Sequence, residues 1–367
     1  MTMLLWLDAF VVLACVLYCA ALPFTIHRLP RVGAGRSPAL RARVSVIVPA
    51  RNEEKVLPRC LDSIRAQERA VDEIIVVDDE SHDATARCAV EHGACVIFPG
   101  ARPPGWTGKP WAAHAGANAA TGEWLLFVDA DAVLGPRCVG AALAEAEAHG
   151  TDLLSLIPAW RSSTLLEALV QPIFFMVLSG FFDFDRINDP ADPMATAWGG
   201  FLLFRREAYD KIGGHTAVKN VIVEDLAIAR EVKQRGLKLR VLPGPELAET
   251  ARPLTARRIW DDAHRAACGF ARGSALLALF SAVLLFANFV GPYALAPLGP
   301  RFAVLAVVHY VGAILARVQA GRLGFDYRLA LLQPIGALYL VAAMLWASIA
   351  TLTGQAVVRW GSRQYKG

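Results

Sequence analysis

The chain has 367 residues, 55% of them hydrophobic, and a mean hydropathy of +0.40. That is too apolar for an ordinary soluble enzyme, so part of it belongs in lipid. A formal net charge of +4, with the basic residues gathered beside an apolar run rather than along an aromatic-lined face, argues against nucleic acid as a partner. Seven scattered cysteines without a C-x-x-C pair speak against a disulfide framework or zinc site and fit a reducing compartment.

In chain order, Met3 to Phe24 is an apolar run interrupted only by Asp8. No Lys or Arg precedes it, which favours an uncleaved anchor over a secretory signal, although "CAALP" offers small residues for cleavage. His27, Arg28, Arg31, Arg36, Arg41 and Arg43 follow, and by the positive-inside rule they set the next domain in the cytoplasm. The same arginines suit anionic headgroups. "RVSVIVPARNEE" predicts a strand over 44–48 and then a helix from Glu53 to about Gln67, with acids in its first turn. "EIIVVDDESHDAT" predicts a strand over 74–77, buried on both faces, ending in Asp78 and Asp79. Ligands of parallel sheets bind beyond the carboxyl ends of strands, where these two carboxylates fall; one Asp capping the next helix is the other reading.

A helix over 83–92 and a strand over 95–98 come next. "WLLFVDAD" is another strand, ending in Asp129 and Asp131; "RCVGAALAEAEAHG" is a helix and "DLLSLI" a strand. The alternation predicts an α/β fold with a doubly wound, mostly parallel sheet, and the apolar runs near the two ends of the chain add transmembrane helices at both ends. Two carboxylates at i and i+2 share one face of a strand, and at its end the chain can turn both toward one hard divalent ion such as Mg2+ or Mn2+. Residues 165–182 are apolar but hold Glu167, Gln171 and Pro172, a pattern for a segment lying at a membrane surface or a buried core helix.

Gly199 and Gly200 let backbone pass close to a ligand, and "VIVEDLAIA" opens a helix with Glu224 and Asp225, either as caps or as groups facing the same cleft. Three apolar stretches end the chain: Ser274 to Ala296, Phe302 to Ala316 and Leu329 to Thr351. The middle one is short for a span and leaves a re-entrant alternative. Four spans in all, counting the first run, is the favoured topology, although Arg359, Arg363 and Lys366 in the tail prefer the cytoplasm.

Taken together, "VIVPARNEE", "EIIVVDDESHD", "GKPWAAHAGANAATGEWLLFVDADA", "GGFLLFRREAYDKIGG" and "VEDLAIA" resemble the family 2 glycosyltransferases of the glycosyltransferase-A fold, over roughly residues 44–260. "GWTGKPWA" and the flanking apolar segments look most like the lipid-acting bacterial branch, with its hopanoid-associated, carotenoid and ceramide glycosyltransferases. The resemblance implies an anchor at 1–26, a basic linker at 27–43, a catalytic domain at 44–265 holding the interfacial segment 165–182, and a membrane region of about three helices at 266–367.

It further implies an inverting hexosyltransferase of the inner membrane, multi-pass with its catalytic domain facing the cytoplasm, that carries a sugar from a nucleotide-sugar donor, UDP-linked by the family's pattern, to a membrane lipid acceptor. Pro49, Ala50, Arg51 and Glu53 then line the nucleotide pocket. Asp79 accepts from the base, Asp78 supports its loop, and Lys109 meets the diphosphate or sugar. Asp129 contacts ribose or sugar, and Asp131, with Asp129, serves the divalent ion. Asp225 is the general base, with Glu224 a helper or cap. Relatives carry Q-x-x-R-W after the base, whereas here "ARRIW" keeps only Trp260, leaving Arg257 or Arg258 to supply positive charge on the acceptor or diphosphate side. Trp260 is otherwise an interfacial anchor. This departure weighs against a processive polysaccharide synthase, and the complete acidic set weighs against a silent nucleotide-sugar-binding protein. No obligate protein partner is evident.

Overall fold

The computed structural model describes residues 32, 42–162, 164–221, 223–250, 255–257, 259–261, 275–321, 324–353, 357–360 and 363–366. Two compact units divide the chain: Leu29–Trp160 with Phe182–Arg252, and Met1–Arg28 with Arg161–Phe181 and Pro253–Gly367. The apolar run Met3 to Phe24, the basic residues from His27 to Arg41 and Arg258 lie outside the described residues.

The first unit is built on strands β1 (Val44–Ala50), β2 (Glu73–Asp78), β3 (Cys95–Ile97), β4 (Trp124–Val128), β6 (Leu153–Ile157), β7 (Phe201–Arg205) and β8 (Leu239–Pro243). They form one seven-stranded sheet in the order β3-β2-β1-β4-β7-β6-β8. Strand β1 pairs in parallel with β2 and β4, and β6 with β8. Only β7 runs antiparallel to its neighbours, matching Trp124 to Arg205 and Leu153 to Phe204. The sheet is therefore mixed, and the reversal of β7 is the feature its apolar "FLLF" run does not announce. A small second sheet pairs β5 (Ala132–Leu134) with β9 (Ala248–Thr250).

Helices α1 (Leu57–Arg65), α2 (Thr85–Glu91), α3 (Gly108–Ala119), α4 (Cys138–His149), α6 (Phe184–Asn188), α7 (Arg206–Lys211) and α8 (Glu224–Gln234) complete this unit. The core is made where apolar runs of the strands meet one face of a helix. Val46, Val48 and Leu126 bury with Leu57, Leu61 and Ile64 of α1 and with Val139, Ala142 and Leu143 of α4. Helix α3 approaches the sheet closely: a Cβ on Gly116 would lie 2.4 Å from Ile47 Cγ2. Helix α1 begins later than the acidic pair suggests. Residues 53–56 form a turn in which Val56 and Leu57 donate to the Glu53 carbonyl at 3.0 and 2.9 Å, and Pro58 in the first turn sets the start. Glu53 and Glu54 thus sit in the β1–α1 loop.

The second unit is helical, with α5 (Leu165–Phe181), α9 (Ala275–Phe289), α10 (Gly291–Leu295), α11 (Pro300–Ala320) and α12 (Gln333–Leu352), followed by a hairpin of β10 (Val357–Trp360) and β11 (Arg363–Lys366). Pro300–Val318 and Ala330–Leu352 are long and apolar enough to cross a membrane, by length and composition. The span read as short at Phe302 to Ala316 is in fact a helix of 21 residues. It continues through Arg317 because that side chain is wholly buried against protein instead of ending the run.

Helix α5 opens with a capping box, in which Thr164 N–H donates to Glu167 Oε2 at 3.0 Å and Glu167 N–H to Thr164 Oγ1 at 3.2 Å. Its central proline does not end it. Pro172 has no N–H for the carbonyl four residues back, that of Ala168, and the guanidinium of Arg317 donates Nη2–H to that carbonyl. A backbone acceptor orphaned by one residue is satisfied by a buried charge on another helix.

Candidate active site

The parallel strands β2, β1 and β4 end on one edge of the sheet, so Asp78 and Asp79 at the end of β2 and Asp129 just past β4 stand about two strand spacings apart, roughly 10 Å. The loops after β1 and β2 are laced together. Pro49 and Ala50 pair with Val77 and Asp78, and Asp79 N–H donates to the Ala50 carbonyl at 2.9 Å. Arg51 Nη1 reaches the Asp79 carbonyl at 2.5 Å and Glu80 Oε2 at 3.3 Å. Asp78, buried, accepts from Ser81 N–H at 2.8 Å, and Glu53 N–H donates to Thr85 Oγ1 at 2.8 Å. Asn52 and Glu80 both adopt positive φ, 55° and 59°. A glutamate held left-handed is a local cost of the kind that gathers at ligand loops.

The second cluster centres on Lys109. It stands in the first turn of α3, where the helix dipole disfavours a cation, and three acids offset that. Its Nζ lies 2.7 Å from Asp129 Oδ1 and 2.8 Å from Glu224 Oε1, and it donates to the Gly199 carbonyl at 3.4 Å. The side chain is only 14% exposed, so it is no surface lysine. Burial alone would lower its pKa, but Asp129, Glu224 and Asp225 hold it above the ordinary value. Glu224 and Asp225 both come from the start of α8. Asp225 Oδ2 accepts from Gly199 N–H at 2.9 Å, and its Oδ1 accepts from Leu226 N–H at 2.8 Å. Burial, then the negative Glu224 beside it, pushes the Asp225 carboxyl up to about 6, against the pull of Lys109.

Gly199 is small because it must be: a Cβ there would lie 3.0 Å from both Asp225 Oδ2 and Lys109 Nζ. At Gly200 a Cβ would lie 3.6 Å from Asp129 Oδ2. The glycine pair is anchored from below by Ser155 of β6, whose hydroxyl accepts from Trp198 N–H at 2.7 Å and donates to the Trp198 carbonyl at 3.2 Å. Residues 214–221 tie the starts of α3 and α8, with Thr107 N–H donating to the Lys219 carbonyl at 2.7 Å and Thr107 Oγ1 to that of Val221 at 3.1 Å. Beneath them His215 is buried, its Nδ1 2.8 Å from Tyr209 Oη. Burial, with Lys109 and His114 nearby, pushes it down to about 3, so it is neutral at pH 7.

Asp131 is half-buried in the turn between β4 and β5. Burial pushes the Cys60 thiol up, and the charges of Asp131 and then Asp129 add to it, so both carboxylates lie near one thiol. Among the described residues no group of three or more His, Cys, Asp or Glu could hold a metal ion by itself.

Arg257 and Trp260 belong to the helical unit. There the Trp260 ring meets Tyr339 of α12 edge-on at 5.6 Å, and Tyr339 Oη donates to the Ala256 carbonyl at 2.6 Å. Sequence reasoning did not single out Asn52, Glu80, Ser155, Trp198 or His215. Only for Trp198 was there a signal, its place directly before the two glycines.

A family model for "Glycosyl transferase family 2" matches residues 45–213. The 4,4'-diaponeurosporenoate glycosyltransferase of Staphylococcus aureus (strain USA300) is 31% identical over 204 residues, 55% of this chain and 54% of that protein. The chain therefore matches about half the length of such curated relatives. Among solved structures, the mannosyltransferase PcManGT from Pyrobaculum calidifontis, in complex with GDP-Man and Mn2+, superposes with a TM-score of 0.55 at 21% identity, covering 94% of this chain and 99% of that one. That likeness speaks to fold, and with the mixed seven-stranded sheet it identifies the glycosyltransferase-A architecture.

Proposed function

Taking residues 45–213 as a family 2 glycosyl transferase domain, we propose that this chain is a membrane-bound inverting glycosyltransferase that moves a sugar from a nucleoside-diphosphate sugar to a hydroxyl of a lipid. The observation that carries the reading is the convergence of Asp129, Glu224 and Asp225, from a strand end and a helix start, around the Lys109 ammonium and the Gly199–Gly200 backbone. The two C-terminal helices long enough to span a bilayer and the carotenoid-type acceptor in the name of the Staphylococcus relative support a lipid acceptor, and the basic residues His27 to Arg43 support the inner membrane with the catalytic unit on the cytoplasmic side.

The nucleotide belongs in the laced loops after β1 and β2, with Asp79 and the Pro49–Glu53 segment facing the base and ribose. Its diphosphate then reaches toward Asp129, where Lys109 offers the positive charge. Asp129 and Asp131 fit a divalent ion of the Mg2+ or Mn2+ kind, since such ions take one or two carboxylates and complete their shell with substrate phosphates. When bound, that ion supplies charge neutralisation on the departing diphosphate.

Asp225 is the general base. The acceptor hydroxyl gives its proton to the Asp225 carboxylate while its oxygen forms the new bond to the anomeric carbon. The bond from that carbon to the diphosphate breaks with its electron pair on the leaving group, on the opposite face, so configuration inverts. Gly199 N–H and Leu226 N–H hold one carboxylate oxygen each and fix its direction. A positioned base contributes roughly a hundred- to ten-thousand-fold to rate.

The test incubates membranes carrying the full chain with a panel of labelled UDP- and GDP-sugars and counts radioactivity in the lipid extract. Asp225→Asn should lower transfer by about a thousandfold with the protein still folded. Undiminished transfer in that variant removes Asp225 as the base, and no transfer from any sugar nucleotide by the wild type removes the reading itself.

A further inference from the structure

Close approach of Asp225 and Lys109 forces a glycine at 199, where a Cβ would lie 3.0 Å from Asp225 Oδ2 and 3.0 Å from Lys109 Nζ. Gly200 follows it. Two glycines in a row leave a backbone free to turn, because no side chain restricts φ and ψ there. Yet this backbone has to aim, since the Gly199 N–H donates to Asp225 Oδ2 at 2.9 Å. A restraint from outside the glycine pair has to hold it.

The restraint comes from β6. Ser155 is wholly buried in that strand, whose other four residues are apolar, and its hydroxyl accepts from the Trp198 N–H at 2.7 Å while donating to the Trp198 carbonyl at 3.2 Å. That carbonyl and the Gly199 N–H belong to one trans peptide, a stiff plane in which the two groups point opposite ways. Turning one turns the other. A hydroxyl on the sheet therefore fixes the oxygen end of the plane whose nitrogen end holds Asp225. The Phe201 N–H also donates to the Trp198 carbonyl, at 3.1 Å, closing a turn over the two glycines. Ser155 adds a second donor to that oxygen, from a different strand, and a grip on the Trp198 N–H.

We propose that Ser155 is a positioning residue for the transfer: it holds the Trp198–Gly199 peptide from beneath and so sets the direction of the Asp225 carboxylate, which it does not touch. This rests on the assignment of Asp225 as the base. The hydroxyl takes no part in the bonds exchanged, which remain those of the transfer above. Glu224 from the same helix and Lys109 from α3, itself paired with Asp129, also act on the Asp225 carboxyl. The Leu226 N–H holds its other oxygen at 2.8 Å, so loss of Ser155 loosens one of two oxygens and the effect is partial.

Threonine and valine have the same shape, and only threonine carries a hydroxyl. Ser155→Thr and Ser155→Val thus bring equal bulk into the strand and differ by the hydroxyl alone, while Ser155→Ala adds no bulk. The assay uses membranes carrying the full chain and the labelled UDP- or GDP-sugar that the wild type transfers. Mg2+ is present throughout, so that an ion on Asp129 and Asp131 acts alike on every variant. In Ser155→Ala and Ser155→Val kcat should fall roughly three- to tenfold with donor KM within about twofold, and Ser155→Thr should restore most of the loss. The acid limb of the pH profile should move up by about half a unit to one unit in the two variants without a hydroxyl, because a poorly aimed N–H stabilises the ionised carboxyl less. Equal behaviour of Thr and Val, a change in donor KM with kcat intact, or a kcat loss with the acid limb unmoved would each overturn the proposal.

A second readout needs no turnover. Infrared difference spectra of the full-length protein in nanodiscs, taken between acid and neutral pH, follow the Asp225 carboxyl band, assigned by its loss in Asp225→Asn. Its midpoint should lie higher in Ser155→Val than in Ser155→Thr. Coincident midpoints overturn the positioning role even if sugar is transferred, whereas separated midpoints with no sugar nucleotide consumed by the wild type sink only the enzymatic reading.

Discussion

The two units of this chain handle polar and apolar groups in opposite ways. Among the described residues of the α/β unit, only Val90 and Phe98 are large apolar side chains standing in the open, and the ionisable groups cluster at strand ends. In the helical unit Val304, Val307, Val308, Val311, Leu315 and Val318 stand exposed along α11, while Glu167, His309, Arg317 and Gln333 are at most 2% exposed. Water as the only solvent rewards the first pattern and penalises the second. Apolar outside with polar inside is what a hydrocarbon surround selects. Glu167, His309 and Arg317 have their partners within the protein, in Thr164, Tyr293 and the Ala168 carbonyl, whereas neither amide atom of Gln333 has one among the described residues.

The comparison breaks most sharply at Lys109. Lys109→Met removes the cation from buried Glu224 and from Asp129, and should cost about 3–5 kcal/mol of stability in urea titration. The double variant Lys109→Met/Glu224→Gln should recover part of that, because one stranded charge has gone. Equal losses in the two would mean the pair is solvated and the α/β site is not a buried charge cluster.

A matched pair of substitutions asks each unit the same question. Val311→Lys should cost about 3 kcal/mol in membrane insertion, read as the fraction resisting alkaline extraction, whereas Val90→Lys should stay within about 0.5 kcal/mol. Both side chains are at least half exposed, Val90 at 62% and Val311 at 50%. Identical, silent behaviour would show that both face water.

How much of this was readable beforehand follows the same division. The strands of the α/β unit are legible as short apolar runs ended by Asp78 and Asp129, since burial on both faces leaves a continuous run and the next residue meets solvent. The direction of β7 is not legible, because "FLLF" buries equally well either way. Nor is the encounter of Lys109 with Glu224, 115 positions along the chain, for which no local period exists. The helix start at Leu57 is hidden by acids that serve a loop. In the helical unit, Pro172 breaks the pattern of its segment and Arg317 falls one residue past the predicted span, and the structure joins them: the Arg317 guanidinium takes the Ala168 carbonyl that Pro172 orphans, with the Asp326 carbonyl as its second partner.

That mutual explanation is testable as a cycle. Arg317→Leu leaves the Ala168 carbonyl without a partner, but in Pro172→Ala the restored N–H can take it. The two substitutions should therefore couple by about 1–2 kcal/mol, with Arg317→Leu less harmful in the Pro172→Ala background. Additive losses would mean that Arg317 is buried for another reason.

The smallest effect is in the pH profile, and it sharpens what pairing means in the α/β unit. As the proposed base, Asp225 would have to be ionised to accept a proton, and its carboxyl is pushed up to about 6, so on that proposal kcat/KM should fall about tenfold per pH unit below that point. Burial is the larger cause, and Glu224 the second, while Lys109 pulls the other way. Glu224→Gln should therefore move the acid limb to lower pH, and Lys109→Met should move it to higher pH. The opposite signs matter more than their size, because a general loss of packing around the site would shift both variants the same way. Profiles that superpose with the wild type would mean that the titrating group is not Asp225, since no carboxyl so close to both neighbours could ignore the loss of either.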